Sequence, residues 1–227
     1  MMARTHALSG AAAWMAAVPF IEGAVSLPFA PAEVAAGAVV TAGAALLPDL
    51  DHPKATISRA LGPVSYILSR AVSAAAGGHR QATHSVLGVA VVAVLVWGIA
   101  AAGAEPVAGT VLAGLCVGLA IRAAGPQRMS RGGWVDVTLI AWTVVLTAAG
   151  VFAVDTMAWL PYAVTGGVVL HLVGDFLTPG GIPLLWPYRR RYGASVLRTD
   201  GWLEPVVAAC LVVVIVMLGV PMVQSAG

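Results

Sequence analysis

Apolar stretches long enough to cross a membrane recur from one end of this 227-residue chain to the other. A helix needs about 20 apolar residues to cross the hydrocarbon layer of a bilayer, which is roughly 30 Å thick. Only 10% of the residues are charged, whereas a typical soluble domain has about 25%. The stretches also lack the alternation of apolar and polar residues found in membrane β-barrels. We therefore predict an all-α fold, a polytopic transmembrane helical bundle that forms a single domain over residues 1–227.

The number of spans follows from the apolar stretches. We predict about seven, at residues 7–27, 32–48, 84–104, 107–123, 134–154, 158–178 and 203–223. The second and fourth stretches are short and the first contains Pro19, so six spans or one re-entrant segment is the alternative. The first stretch follows Arg4 in the manner of a signal peptide. Because Pro19 and Glu22 interrupt it, we expect this stretch to remain as a span.

The basic residues fall at four places that seven spans would put on the same side of the membrane. These places are the N-terminus and the loops 49–83, 122–133 and 179–202. The short loops on the opposite side contain acidic residues and no basic one. Since lysine and arginine accumulate in cytoplasmic loops, we predict a multi-pass protein with a cytoplasmic N-terminus.

Two basic segments could also lie at the membrane surface. In the cytoplasmic loop 49–83, apolar residues recur at steps of three and four, at Ile57, Leu61, Val64, Leu68 and Val72. This pattern predicts an amphipathic helix in the membrane interface, and a cytoplasmic helix that touches no lipid is the alternative. For the segment WPYRRRYG, residues 186–193, we favour charge that sets the topology over an interfacial anchor.

Ionisable residues gather on the predicted cytoplasmic side. All five histidines lie there, namely His6, His52, His79, His84 and His171. Five carboxylates lie on the same side, namely Asp49, Asp51, Asp175, Asp200 and Glu204. An isolated charge below the headgroups costs several kcal/mol, so such groups are expected to be paired, coordinated or functional. A divalent metal would account for this concentration, because it takes imidazole and carboxylate ligands.

Short motifs indicate how the candidate ligands would be arranged. In HLVGD, His171 and Asp175 are four residues apart and share one face of a helix. In PDLDH, Asp49 and Asp51 would point the same way if the chain is extended, so that one or both could bind the metal. In HRQATHS, residues 79–85, we expect the first histidine in a loop and the second in the first turn of the next helix. The H-E-x-x-H signature of zinc peptidases is absent from the sequence.

The motifs also resemble, in order, those of the YdjM-type inner-membrane proteins. They are RTHALSG, LLPDLDHP, HRQATHS and HLVGDFLTPGGIPLLWP, and they cover most of the chain. The family is described as membrane-bound, metal-dependent hydrolases with a distant likeness to zinc-dependent phospholipase C. The resemblance implies an inner (plasma) membrane location and, motif by motif, the metal ligands His6, Asp49, Asp51, His79, His84, His171 and Asp175. This chain has Gln81 and Ala82 where the HRG-THS pattern of the family has its glycine.

The leading hypothesis is a membrane-embedded, metal-dependent hydrolase with its site at the cytoplasmic face. One or two Zn²⁺ ions, or Mn²⁺, would bring the pKa of a bound water toward about 7 and so provide a hydroxide nucleophile. Asp51 or His52 could act as the general base, since both adjoin ligand positions. Arg80, with the hydroxyls of Thr83 and Ser85, could hold a phosphate, although an ordinary helix cap is the favoured interpretation of the hydroxyls. The expected partners are membrane lipid and an amphiphilic phosphoester substrate, and not nucleic acid.

Two other functions stay open at this point. One is a transporter that binds a metal or protons, but transporters place polar groups near the bilayer midplane. The midplane stretches of the predicted spans contain almost no ionisable residue. The other is a non-catalytic membrane protein with a structural metal, which differs from a catalytic site in having no open coordination position.

Overall fold

The computed structural model describes residues 2–55, 58, 62–125, 137–154, 156–199 and 201–224. Within these ranges the chain forms eight α-helices and no extended strand. The helices are α1 (Ala3–Val25), α2 (Pro31–Ala44), α3 (Pro63–Ala76), α4 (Val86–Ala101), α5 (Thr110–Ala124), α6 (Val137–Ala153), α7 (Leu160–Phe176) and α8 (Leu203–Gln224). The predicted all-α fold is confirmed. Asp200, one of the five acidic residues predicted to lie on the cytoplasmic side, is outside the described residues.

Seven of these helices coincide with the predicted apolar stretches, and α3 lies in the first long loop. Four segments of the described chain are long and apolar enough to cross a membrane, namely Ala3–Val25, Pro31–Asp51, Glu105–Ala124 and Leu203–Pro221. Three shorter apolar helices accompany them, namely Val86–Ala101, Leu139–Gly150 and Leu160–Phe176. The structure therefore supports a helical membrane protein, while the count of seven spans stays a prediction.

Helix α2 is the centre of the bundle, because it packs against α1, α5 and α7. Three glycines allow these contacts to be close. A Cβ atom at Gly10 of α1 would lie 2.7 Å from the carbonyl oxygen of Thr41, and one at Gly167 of α7 would lie 2.6 Å from the same oxygen. A Cβ atom at Gly43 would overlap the backbone of Cys116 in α5. Small residues at helix interfaces let backbones approach in this way, which is typical of membrane proteins.

The outer faces of the bundle are apolar. Val94 and Leu95 of α4 are exposed, and so are Val213 and Met217 of α8. Exposed apolar area of this extent marks a surface that is covered by lipid or by another protein. It agrees with a helical membrane protein.

The amphipathic helix predicted in the loop 49–83 is present as α3. It begins at Pro63 and ends at Ala76, and the next residue, Gly77, has a left-handed backbone conformation. Its packed face contains Ser65 and Ser69, which are buried. Tyr66, Ile67 and Leu68 are exposed on the other side. Of the apolar residues predicted to share one face, Leu68 is therefore on the outer face, whereas Val72 packs against the core. Ile57 and Leu61 lie outside the described residues. An exposed apolar face next to Arg70 supports a place in the membrane interface, which stays a prediction.

The segment after α7 folds back over the end of the bundle. Ile182 and Tyr192 exchange two backbone hydrogen bonds of 2.9 Å each, and the carbonyl oxygen of Leu184 accepts from the amide of Val86 at the start of α4. Ile182 is buried and packs with the side chains of α7. The basic part of WPYRRRYG, residues 189–191, is exposed. This arrangement is compatible with both interpretations of that segment.

Candidate metal centre

Four parts of the chain meet at one end of the bundle and bring the predicted site residues together. The side chains come from α1, from the 3₁₀ turn Pro48–Asp51, from residues 79–84, which end in the 3₁₀ turn Ala82–His84, and from the last two turns of α7. Three overlapping triads each place ligand atoms within 4.8 Å of one another: His6 with His171 and Asp175, Asp49 with His84 and His171, and Asp51 with His79 and His84. All seven residues that the sequence predicts as ligands thus belong to at least one triad that could hold a metal.

Four donor atoms of this cluster face one another. The Nε2 atoms of His84 and His171 are 3.2 Å apart. Oδ1 of Asp49 lies 3.6 Å from the His84 nitrogen and 3.7 Å from the His171 nitrogen. Oδ2 of Asp175 lies 3.7 Å and 3.9 Å from the same two atoms. Tetrahedral zinc with bonds of about 2.0–2.2 Å keeps its ligand atoms roughly 3.3–3.6 Å apart. Each of the two carboxylate oxygens is therefore spaced from the two imidazole nitrogens nearly as the ligands of one cation would be.

The hydrogen bonds behind the two imidazoles determine their tautomers. Nδ1 of His171 lies 2.7 Å from the carbonyl oxygen of Ala45, which can only accept, so this nitrogen carries the hydrogen. The hydroxyl of Thr83 donates to the carboxylate of Asp51 and therefore accepts from Nδ1 of His84, 2.9 Å away. In their neutral forms both rings thus have their lone pair on Nε2. Two lone pairs that face each other across 3.2 Å must have a cation or a proton between them.

The carboxylates near His84 favour a positive charge at this point. Burial by itself would lower the pKa of His84, but its interactions with Asp49 and Asp51 outweigh burial and raise the pKa to about 9. In the metal-free protein at neutral pH, His84 therefore carries a proton. Metal binding has to displace that proton, as is usual for histidine ligands.

Asp49 and Asp51 do not point the same way, so the expected extended backbone is wrong. Pro48–Asp51 forms a 3₁₀ turn, and it directs Asp49 to the Nε2 side of His84 and Asp51 to the Nδ1 side. His84 likewise lies in a 3₁₀ turn of its own, and α4 begins only at Val86 rather than at the histidine. Both turns expose carboxylate and imidazole atoms that a regular helix would have directed elsewhere.

Asp51 is surrounded by hydrogen-bond donors. It is fully buried, and it accepts from Nδ1 of His79 at 2.7 Å and from the amide of Arg80 at 2.9 Å, in addition to the hydroxyl of Thr83. His52 lies outside this network and stacks on His79 with the ring centres 4.4 Å apart. Partial burial, and to a smaller extent the neighbouring His79, lower the pKa of His52. Asp49 and Asp51 act in the opposite direction but offset this lowering only in part.

Asp175 is held from two sides. Nη2 of Arg80 lies 2.8 Å from Oδ2, and Nε2 of His6 lies 3.3 Å from Oδ1. The ring of His6 stacks on that of His171, with 4.1 Å between the ring centres. Arg80, which the sequence predicts as a phosphate ligand, is thus paired with a carboxylate, and 24% of its side chain is exposed.

A family model described as YdjM inner membrane protein matches residues 1–226. The chain belongs to this family. The chain is 26% identical over 152 residues to the inner membrane protein YdjM of Escherichia coli (strain K12), and it has the same identity to that of Shigella flexneri. The match covers 67% of this chain and 50% of each relative, so the chain spans about half the length of the curated relatives it matches. No solved structure matches the YdjM-family protein. The resemblance seen in the motifs is confirmed.

Two hydrogen-bonding groups that orient the histidines of the site could not be predicted from the sequence motifs. The carbonyl oxygen of Ala45 fixes the ring of His171, and a backbone acceptor leaves no signal in a sequence. The hydroxyl of Thr83 connects His84 to Asp51, whereas the sequence favours an ordinary helix cap for this hydroxyl. That interpretation holds for Ser85, whose hydroxyl accepts from the amide of Gly88 at the start of α4.

Changing Thr83 to valine is expected to weaken zinc binding to the YdjM-family protein by about 10–100-fold, as loss of a group that orients a ligand commonly does. Valine keeps the shape of the side chain but cannot link His84 to Asp51. The matched change of Thr83 to serine keeps the hydroxyl and is expected to bind zinc within about threefold of the native protein. Titration against a zinc chelator measures both affinities. Equal affinities of the valine and serine variants would contradict the assigned tautomer.

Proposed function

We propose that this protein is a membrane-embedded, metal-dependent hydrolase whose centre lies at the cytoplasmic face of the inner membrane. One observation carries the proposal. The Nε2 lone pairs of His84 and His171 face each other across 3.2 Å, and one oxygen each of Asp49 and Asp175 lies within 3.6–3.9 Å of both nitrogens. Two nitrogens and two oxygens form a donor set suited to Zn²⁺, and Mn²⁺ is the alternative.

The charge of the cluster agrees with a divalent cation. Three buried or half-buried carboxylates, those of Asp49, Asp51 and Asp175, are accompanied by the guanidinium of Arg80. With neutral imidazoles this leaves two net negative charges at the end of an apolar bundle. Excess buried charge is unfavourable, so a cation of charge +2 would balance the site.

We assign one metal ion rather than two. A second ion at the triad of Asp51, His79 and His84 would need Nδ1 of His84, which already donates to Thr83. Asp51 and Thr83 then act as the outer shell that orients His84, in the manner of a carboxylate–histidine–metal arrangement. His6 and His79 support Asp175 and Asp51 in the same way. The proposal thus narrows the seven predicted ligands to four.

The side chains around the donors suit hydrolysis. When bound, a cation of this kind supplies Lewis-acid chemistry, which polarises a phosphoryl or acyl oxygen and makes water more acidic. His52 is the better candidate for the general base, because its lowered pKa leaves it neutral at pH 7, whereas the oxygens of Asp51 are occupied by donors. The exposed part of Arg80 is placed to bind an anionic group of the substrate while it holds Asp175.

The orientation of the site follows from the basic residues. The described arginines near this end include Arg4 at the start of α1, Arg70 of α3, and Arg191 of the segment after α7. Because lysine and arginine accumulate in cytoplasmic segments, these residues support a cytoplasmic N-terminus and, with it, a centre at the inner leaflet. A lipid or another amphiphilic phosphoester could reach a centre in this position without leaving the membrane.

A transporter is less compatible with the described structure. Away from the cluster, the buried carboxylate of Glu33 lies at the other end of α2 and accepts from the amide and hydroxyl of Thr156. These hydrogen bonds connect the start of α2 to the segment before α7, which indicates a structural role for Glu33. Transport would need polar groups that line a path between the two sides.

The function is tested by assaying the zinc-loaded protein against phosphomonoesters, phosphodiesters, phospholipids and amides, with the His84→Ala protein as the blank. We expect metal-dependent hydrolysis of a phosphoester that is absent from the blank. The His52→Gln protein is expected to keep its zinc and to lose about 10²-fold or more in kcat, which is the usual contribution of a general base. Retention of zinc without turnover of any substrate would indicate a structural metal, and hydrolysis by the blank would exclude this centre.

A further inference from the structure

An apolar groove lies between the two turns that carry Asp49 and His84 and the exposed face of α4. This groove, here called the α3–α4 groove, has a volume of about 430 Å³ and lies between α3, α4 and α7. Its walls include Leu50, Val72, Leu87, Val91 and Val168. We propose that the groove binds the hydrocarbon chain of the substrate, which would therefore be a lipid phosphoester. The proposal rests on the proposed function and names the substrate class of that site.

The groove and the metal centre are built from the same short segments. Two wall residues directly precede a proposed ligand in the chain, namely Pro48 before Asp49 and Thr83 before His84. A third, Val168, lies about one helical turn before His171 in α7. The turns and the helix that present the four donors thus also contribute walls of the groove. A chain in the groove would lie against Thr83, whose hydroxyl group is bonded to His84 and Asp51.

The chemistry of the walls selects an apolar occupant. The walls are almost entirely aliphatic, and the hydroxyl of Thr83 is already engaged by Asp51 and His84. A sugar, a peptide or a nucleotide would leave its polar groups without partners there, which is costly. An alkyl or prenyl chain has no such groups.

The open side of the groove faces the membrane. Leu87 and Val91 are 45% and 50% exposed, and both belong to α4, one of the apolar helices. Lipid chains are as apolar as leucine, so the groove gives a chain little extra affinity over the bilayer. Its effect is to orient the molecule, since one with its chain in the groove directs its headgroup toward Arg80 and the donors. The α3–α4 groove would therefore select amphiphiles whose polar group is attached to the end of a chain.

The test uses two matched variants of α4. Val91→Trp fills the groove, whereas Val94→Trp makes the same change three residues along the helix at a side chain that is 71% exposed and outside the groove walls. Each protein is placed in nanodiscs of phosphatidylglycerol that carries a photoactivatable diazirine on one acyl chain. Mass spectrometry then locates the cross-linked peptides. Zinc content and circular dichroism confirm that both variants are folded.

We expect the cross-links in the native protein to be concentrated on the groove walls from α3 and α4. The yield of these cross-links is expected to fall about fivefold or more in Val91→Trp but not in Val94→Trp, since a filled groove excludes the chain. Cross-links spread evenly over the outer faces of α4 and α8, and unchanged in Val91→Trp, would show ordinary surrounding lipid and overturn the proposal.

A second measurement separates failure of the groove from failure of the proposed function. The value of kcat/KM for a dodecyl 4-nitrophenyl phosphodiester, divided by that for the methyl compound, is expected to fall at least about tenfold in Val91→Trp. A chain that is excluded from the groove no longer orients the phosphodiester at the donors, and misplacement of a reacting group can cost up to about 10²-fold. The methyl compound is expected to react equally well with both variants. No hydrolysis of either compound by the native protein would overturn the proposed function, while cross-linking still decides whether the groove holds a chain. Equal rates for both compounds with the native protein would overturn the substrate class.

Discussion

Zinc binding is expected to fall by more than about 100-fold when Asp49 is changed to asparagine or His84 to alanine, because loss of a direct ligand exceeds the effect of an outer-shell change. Asp49→Asn keeps the size of the side chain and removes the charge that lies 3.6 Å and 3.7 Å from the two imidazoles. His84→Ala removes one of the two facing nitrogens. Metal content after purification in detergent, together with titration against a chelator, measures the loss.

A buried carboxylate elsewhere in the chain is the control for this result. Glu33→Gln makes the same chemical change as Asp49→Asn, but at the opposite end of α2, where the carboxylate accepts from Thr156. This variant is expected to keep its zinc in full. If Asp49→Asn and His84→Ala also keep stoichiometric zinc while remaining folded, the four-donor centre is wrong, whichever activity the protein has.

The helices and the membership of the site could be predicted because both depend on residue type and spacing. Apolar stretches give the helices, since a long apolar segment has few other stable arrangements in a membrane. Basic loops then place His6, His84 and His171 on one side of the bundle, and the structure brings them within contact of one another. Spacing alone also puts Asp175 on the same face of α7 as the histidine one turn before it.

The internal geometry of the site could not be predicted, because it depends on contacts between distant segments. The 3₁₀ turn at Pro48–Asp51 has no strong sequence signal, and it decides that Asp49 and Asp51 lie on different sides of one imidazole. The division into ligands and outer shell follows from Thr83 and from the carbonyl oxygen of Ala45. A motif reports which side chains are present, whereas these hydrogen bonds decide which atoms are free to bind a metal.

Close helix packing is the second condition for the site. The ring of His171 is fixed by Ala45 at the end of α2, so α7 must lie against α2 for the lone pair of Nε2 to face the donors. That contact exists because Gly167, one helical turn before the histidine, lets the backbones approach. The glycine therefore influences the metal centre although it contacts none of the donor atoms.

Changing Gly167 to alanine is accordingly expected to destabilise the protein by about 1–3 kcal/mol, which is the usual cost of overpacking an interior. The added Cβ atom would lie 2.6 Å from the carbonyl oxygen of Thr41 and 2.7 Å from the side chain of Ala44, so α7 must move away from α2. This movement would lengthen the hydrogen bond from Nδ1 of His171 to the carbonyl oxygen of Ala45 and so weaken zinc binding. Thermal unfolding in detergent, with and without zinc, measures both effects.

The neighbouring glycine of the same helix provides the matched comparison. A Cβ atom at Gly166 would meet no atom within 4 Å. Gly166→Ala is therefore expected to be neutral or to stabilise α7 by up to about 1 kcal/mol, since alanine has the higher helix propensity. The two variants differ only in the face of α7 that receives a methyl group. If they unfold at the same temperature and bind zinc equally well, the α2–α7 contact does not position the metal centre.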